Sequence, residues 1–300
     1  MCLLNGILFT GPYNAGVECE DMRQPRIGHI NFINCLPLTY GFSSGGFSKG
    51  LTIDEGVPSA LNQKAIEGQL DITPVSSIIY AQHPDKFLLM PNLSISADGA
   101  LQSILLVSRV PIAQLSGSKV ALTAKSATSH GLLKIILNHA YQVKPDYFIS
   151  RLSLDAGVLE TAEAALFIGD DALYAYHHRL EGLYYYDIGQ EWKKLTGSAM
   201  VYAVWVINRG FADEYPQQVQ AAYRQLTDGF QYGLSNLQNA ADTLIGRFPF
   251  DTAIIQEYIG LLNYKMTNAH KQALLTYYTL AKDLELIPSV PALEFFEVTV

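Results

Sequence analysis

The sequence predicts an α/β protein of two lobes, each an open sheet covered by helices, closing on a ligand cleft between them. Three observations carry that prediction. Short runs of β-branched and aromatic residues alternate with segments of helical spacing through short connections, as crossover-linked parallel strands require. The same alternation restarts after Pro111, so it describes two sheets. No Pro/Ser-rich linker or low-complexity tract lies between the halves, so the lobes are joined by strands crossing a hinge. The chain has 300 residues, 49% of them hydrophobic, enough for a core in each lobe.

Residues 1–25 read as an irregular N-terminal extension without periodicity. Regular structure is expected from Arg26-Ile-Gly-His-Ile-Asn-Phe-Ile33, a strand, followed by the turn-forming Asn34-Cys-Leu-Pro37. Pro58 to Glu67 has helical spacing with Pro in its first turn and Gly68 closing it. Leu70 to Val75 is then a short strand, and Ser76 or Ser77 caps a helix through Ile78 to Ala81. Leu88 to Ile95 and Ala100 to Ser108 are extended runs, the second apolar enough for burial on both faces. In the second lobe Lys119 to Thr123 is a strand, Ala124 to Ser129 a polar loop and Gly131 to Leu137 a helix. Ala164 to Ile168 is a further strand, ending in Gly169-Asp-Asp-Ala-Leu173, and Val201 to Ile207 returns as another. From Asp213 to Ile287 the spacing is helical with Gly and Pro punctuation. Hinge crossings are expected near Leu105–Val110 and Val206–Gly210. They give a discontinuous first lobe, 26–107 with 208–300, and a second lobe of 108–207.

The 20 Lys and Arg against 28 Asp and Glu leave a net charge of −8, and no basic run exists to neutralise a phosphate backbone, so nucleic acid is excluded as a partner. An acidic protein that binds an anion must use local donors, such as the N–H groups at helix starts. Cys2, Cys19 and Cys35 are odd in number and match no zinc or iron–sulfur spacing, which points to a reducing compartment. The apolar patch Leu3 to Thr10 follows no basic residue and is too short to span a bilayer. Glu18 stands where a lipoprotein signal needs a small residue before its cysteine. The expectation is a cytoplasmic protein with no membrane partner; no signal for an oligomeric state is present.

Ligands of open parallel sheets bind at the carboxyl ends of strands, where loops enter helices. Five such junctions are polar: Asn34, Ser76-Ser77, Ser103, the loop with Ser126, Thr128 and Ser129, and Gly169-Asp170. Hydroxyls and amides converging on one cleft would hold carboxylates without fixed positive charge. Each taken singly is also an ordinary helix cap or, for Asn34, an Asx turn. His29 alternates with apolar neighbours in its strand and is either a core histidine or a proton acceptor. Asp170 either orients a ligand hydroxyl or caps the next helix. Tyr184-Tyr-Tyr186 with Trp192 either lines a pocket or packs the lobe. His83 and His177-His178 lack partners at metal-ligand spacing, so no metal is expected. No phosphate loop, dinucleotide fingerprint, nucleophile elbow, HExxH or CxxC occurs.

Four segments carry a resemblance: Arg26 to Leu38 (Arg-Ile-Gly-His-Ile-Asn-Phe-Ile-Asn-Cys-Leu-Pro-Leu), Gly68 to Ala81, Ser94 to Ser103 and Ile168 to Leu173. Together they resemble the chorismate dehydratase family, which opens the futalosine route to menaquinone, over about residues 26–287. The resemblance implies the type II periplasmic-binding-protein-like fold and a lyase that removes water from chorismate, giving 3-[(1-carboxyvinyl)oxy]benzoate without a cofactor. It implies Asn34 and Ser103 as the active-site pair, with Ser76, Ser77, Thr128 and Ser129 around the substrate carboxylates. The related 1,4-dihydroxy-6-naphthoate synthases open with Ser-Pro-Cys-Pro-Asn-Asp, whereas this chain has Asn31-Phe-Ile-Asn-Cys-Leu-Pro37. For the proton acceptor the expectation favours a carboxylate of the substrate over His29, because the junctions offer donors far more than bases. A non-catalytic small-acid binding protein of the same fold is the competing reading.

Overall fold

A computed structural model describes residues 23–150, 152 and 157–299. Most of the expected N-terminal extension, with Cys2 and Cys19, falls outside the described residues. The chain starts with β1 (Arg26–Ile30), α1 (Leu36–Ser44), β2 (Thr52–Gly56), α2 (Pro58–Ile66), β3 (Ile72–Ser76), α3 (Ser77–Gln82) and β4 (Phe87–Ala97). It continues through β5 (Ile104–Ser108), β6 (Lys119–Thr123), α4 (Ala127–His139), β7 (Asp146–Ser150), α5 (Val158–Thr161), β8 (Ala164–Ile168), α6 (Gly169–His177), β9 (Tyr184–Asp187) and α7 (Ile188–Thr196). The last part is β10 (Met200–Asn208), α8 (Arg209–Glu214), α9 (Pro216–Ser235), α10 (Leu237–Asp242), α11 (Thr252–Gly260), β11 (Leu262–Asn263) and α12 (Asn268–Asp283).

Two sheets form, in the orders β11-β4-β10-β3-β1-β2 and β7-β6-β8-β5-β9. The expectation of wholly parallel sheets is corrected: β1, β2 and β3 are parallel neighbours, as are β6, β7 and β8, but β10 runs antiparallel to β3 and β4, and β5 antiparallel to β8 and β9. The reversal has a geometric cause. A strand that ends at the cleft and crosses to the other sheet must begin its next strand at the cleft and run away from it. Both reversed strands are the first after a crossing.

The crossings themselves precede the expected ones. All of β5 lies in the second sheet and all of β10 in the first, so the chain changes sheet between Ala97 and Ile104 and again between Asp187 and Met200. Within the apolar run that suggested a hinge strand, β5 is buried along its whole length, because both its faces are covered within one lobe. One core cluster runs through both lobes, from Ile27 and Trp205 in the first to Leu132 and Leu166 in the second. A smaller cluster around Phe167 and Leu105 lies in the second lobe. The expected helical tail is α8 to α12, interrupted by the two-residue β11 that the helical spacing concealed.

Candidate active site

The carboxyl ends of β1, β3 and β8 and the first residues of β5 and β10 meet around one cavity, through Ile30, Ser76, Ile168, Ile104 and Ala203. About 60 Å3 of it is open to the centre of a water molecule. Enlarged by a water radius on every side, that is room of roughly 200 Å3, the bulk of one small organic acid. Its deep lining is buried, whereas Phe32, Asn34, Pro58 and Ser126 are half-buried and frame the mouth from both lobes. Pro58 and Gly169 are the first residues of α2 and α6, Ser126 is the N-cap of α4 and Ser76 that of α3. Helix starts present N–H groups and partial positive charge. No Lys, Arg, His, Asp or Glu belongs to the lining among the described residues, so these dipoles and side-chain hydroxyls supply the site's polarity.

Of the expected site residues the cavity gathers Asn34, Ser76 and Ser103. Asn34 lies in a 3-10 turn, Ile33–Cys35, whose carbonyl accepts from Tyr264 Oη at 2.7 Å. Its Oδ1 is buried without a partner among the described residues, so the Asx-turn alternative is not what the fold uses. Ser103 Oγ accepts from Tyr258 Oη at 2.8 Å, and Ser76 Oγ accepts from Asn62 Nδ2 at 3.1 Å. Each serine therefore keeps its own proton as a donor for a ligand. Ser76 is the N-cap of α3 but makes no side-chain capping bond, contrary to expectation.

Ser77, Thr128, Ser129, His29 and Asp170 do not reach the lining. Ser77 Oγ donates to the Val201 carbonyl at 2.8 Å, and Thr128 Oγ1 accepts from Ile78 N at 3.3 Å. Both hold main chain together. Ser129 donates its N–H to the cap Ser126, and its buried Oγ has no partner among the described residues. His29 is 2% exposed, with Nε2 2.8 Å from Thr39 Oγ1. Burial drops its pKa to about 4, so the ring is neutral. Asp170 Oδ1 accepts from Ile33 N at 3.1 Å across the cleft, which makes it a tie between the lobes and not the cap of α6. Burial, only partly offset by that hydrogen bond, raises it to about 6. Cys35 is a buried free thiol that burial keeps protonated. The tyrosine run and Trp192 stay outside the lining; Trp192 packs edge-on against Tyr277 instead.

A protein-family model described as menaquinone biosynthesis matches residues 25–283. The chain belongs to that family. Chorismate dehydratase of Thermus thermophilus is 28% identical over 259 residues, 82% of this chain and 90% of its own. Among solved structures, protein AF1704 from Archaeoglobus fulgidus superimposes with a TM-score of 0.72 at 20% identity, over 89% of this chain and 100% of its own. The periplasmic aliphatic sulphonate-binding protein SsuA from Escherichia coli does so with 0.62 at 14% identity, over 92% of each chain. The fold is thus periplasmic-binding-protein-like, as the two lobes and crossings require.

The residues of this menaquinone-biosynthesis family member that sequence reasoning missed are tyrosines. Tyr202 and Tyr258 line the cavity, and Tyr264 supports the Asn34 turn. A tyrosine inside an apolar strand or on the inner face of a helix has the same pattern as core packing, so no local signal marked them. Burial pushes all three hydroxyls above their ordinary pKa and keeps them neutral donors.

Proposed function

We propose that the protein is a chorismate dehydratase, a lyase that forms 3-[(1-carboxyvinyl)oxy]benzoate, and that it works in the cytoplasm. The observation that carries the reading is one buried cavity pairing Asn34 from the first lobe with Ser103 from the crossing segment, ringed by helix starts and backed by Ile30, Ile95, Leu101 and Ile168. An apolar wall suits a carbocycle; uncharged donors suit its two carboxylates. Family membership and the 28% identical Thermus enzyme support the same substrate.

In the reaction the ring carbon bearing the enolpyruvyl ether loses its proton, and the C–H electrons become a ring double bond. The adjacent hydroxyl leaves, the proton and hydroxide are released as water, and the ring becomes aromatic. The driving force is large, so the protein's task is to fix a reactive conformer and hold developing charge. Asn34 Oδ1, an acceptor without a donor among the described residues, orients the departing hydroxyl through its hydrogen in this reading. Ser103 and Ser76 donate to carboxylate oxygens. The ionisable side chains of the described lining are Tyr202 and Tyr258, both held protonated, which supports a substrate carboxylate as proton acceptor. Closure of the lobes on the substrate would also exclude water that competes for these bonds.

The test is incubation of purified protein with chorismate, following the dehydrated aromatic product by mass spectrometry. Product from the wild type and a loss of about 100-fold or more in Asn34→Ala is expected from removing a preorganised polar contact. Chorismate bound without product would make the protein a binding protein of this fold.

A further inference from the structure

Tyr202 belongs to none of the motifs that mark the site, yet three features of the fold converge on its hydroxyl. The first is backbone register. In the pairing of β10 with β4, Val201 stands opposite Ser96 and Ala203 opposite Ile95, so Tyr202 is the extra residue of a β-bulge at the cleft end of the strand. A bulge re-aims a side chain that regular alternation would point elsewhere. The second is an unmet hydrogen bond. Tyr202 is 8% exposed and lines the cavity, and its Oη is buried with no partner among the described residues. A buried polar group in that state destabilises the fold unless something else binds it. The third is space made for it. A Cβ at position 189 would stand 2.6 Å from Tyr202 Oη and 2.4 Å from the Gly99 carbonyl, so only glycine fits beside the hydroxyl.

We propose that Tyr202 contacts the substrate, its hydroxyl donating a hydrogen bond to a carboxylate of the bound acid. The inference rests on the dehydratase reading for the identity of that acid. A carboxylate is the acceptor the site calls for: the lining offers no cation, while Ser76 and Ser103 are donors like Tyr202. With Asn34 Oδ1 unpartnered among the described residues as well, two residues of the lining carry an unmet donor and an unmet acceptor, a pair that fits a ligand carrying both a carboxylate and a hydroxyl.

Tyr202→Phe separates this role from a structural one. Deleting an unpartnered hydroxyl leaves the ligand-free melting temperature unchanged or higher. Loss of a hydrogen bond to a charged group lowers kcat/KM for chorismate, or affinity measured by calorimetry, by about 10- to 100-fold. Kinetics and affinity within about twofold of wild type overturn the inference, whatever the melting temperature does. A crystal structure of the wild type with the product bound reads the contact directly. A carboxylate oxygen within about 3.2 Å of Tyr202 Oη supports it, and none within about 4 Å overturns it. If the wild type converts chorismate and the Phe variant matches it, this inference alone falls; if the wild type neither binds nor converts chorismate, the dehydratase reading falls with it.

Discussion

His29 shows at the scale of one residue how burial decides between two roles that the sequence left open. Its Nε2 is engaged with Thr39 Oγ1, its Nδ1 is buried without a partner, and its ring packs edge-on against Phe42 at 5.2 Å between centroids. Desolvation holds the folded pKa near 4, against 6.5 for a free imidazole. The lowered folded value means the contribution to stability is fully present above pH 6.5 and is lost as pH falls through 4, because only the unfolded chain takes up the proton in that window. The whole effect is on the order of 3 kcal/mol. His29→Leu should therefore flatten the acid limb of stability against pH, read as denaturation midpoints between pH 4 and 7. Its turnover at pH 7.5 should stay within a few-fold of wild type. Abolished turnover in a folded His29→Leu protein would sink the substrate-carboxylate mechanism and make the imidazole the proton acceptor.

At the scale of elements, the two crossings are bound to each other by Asp187. One carboxylate oxygen accepts from Leu101 N at 2.9 Å and Gln102 N at 2.6 Å, and the other caps α7 by accepting from Gln190 N at 3.0 Å. The bonds hold Gln102 in a left-handed conformation, φ 67°, immediately before Ser103. Asp187→Ala removes a cap and leaves the N–H groups of two buried residues without their acceptor, a loss of about 2–3 kcal/mol in chemical denaturation. It should also raise KM for chorismate, since Ser103 loses its anchor; an unchanged KM would show that the crossing holds its shape without Asp187. These arrangements mark the limit of what the sequence made legible. The strands at Lys119–Thr123 and Ala164–Ile168 could be read because a buried strand is a continuous apolar run. Asn34 could be singled out because a polar amide at the end of such a run is out of place, whereas Ser103, read as lying inside a strand, was marked only by the family resemblance. The direction of β5 and β10 could not, because it depends on which sheet the chain enters next. Tyr202 could not, because the register shift that aims it involves a partner more than a hundred residues away.

For the whole molecule, the bonds between lobes differ on the two sides of the cavity. On one side α12 and α3 of the first lobe grip the start of α4 in the second, through Tyr277 Oη to the Thr128 carbonyl at 3.1 Å and Ile78 N to Thr128 Oγ1 at 3.3 Å. On the other, at the mouth, the lobes meet through Ile33 N to Asp170 and Ser59 N to the Lys125 carbonyl at 3.1 Å, and through Phe32 against Gly169. The cavity has the bulk of one small acid and its mouth is tied, so a ligand can enter only if the mouth bonds break while the α12 side acts as the hinge. Small-angle X-ray scattering should then report a smaller radius of gyration with chorismate or product than without. Gly169 fixes how far the mouth can close: it has φ +60°, and a Cβ there would stand 3.0 Å from the Phe32 ring. Gly169→Ala should therefore keep the liganded radius near the unliganded value and lower kcat/KM by roughly tenfold or more, the cost of a strained backbone plus a lost contact across the cleft. Equal radii with and without ligand in the wild type would mean the lobes do not part, and substrate would have to reach Asn34 and Ser103 by local movement of Phe32 alone.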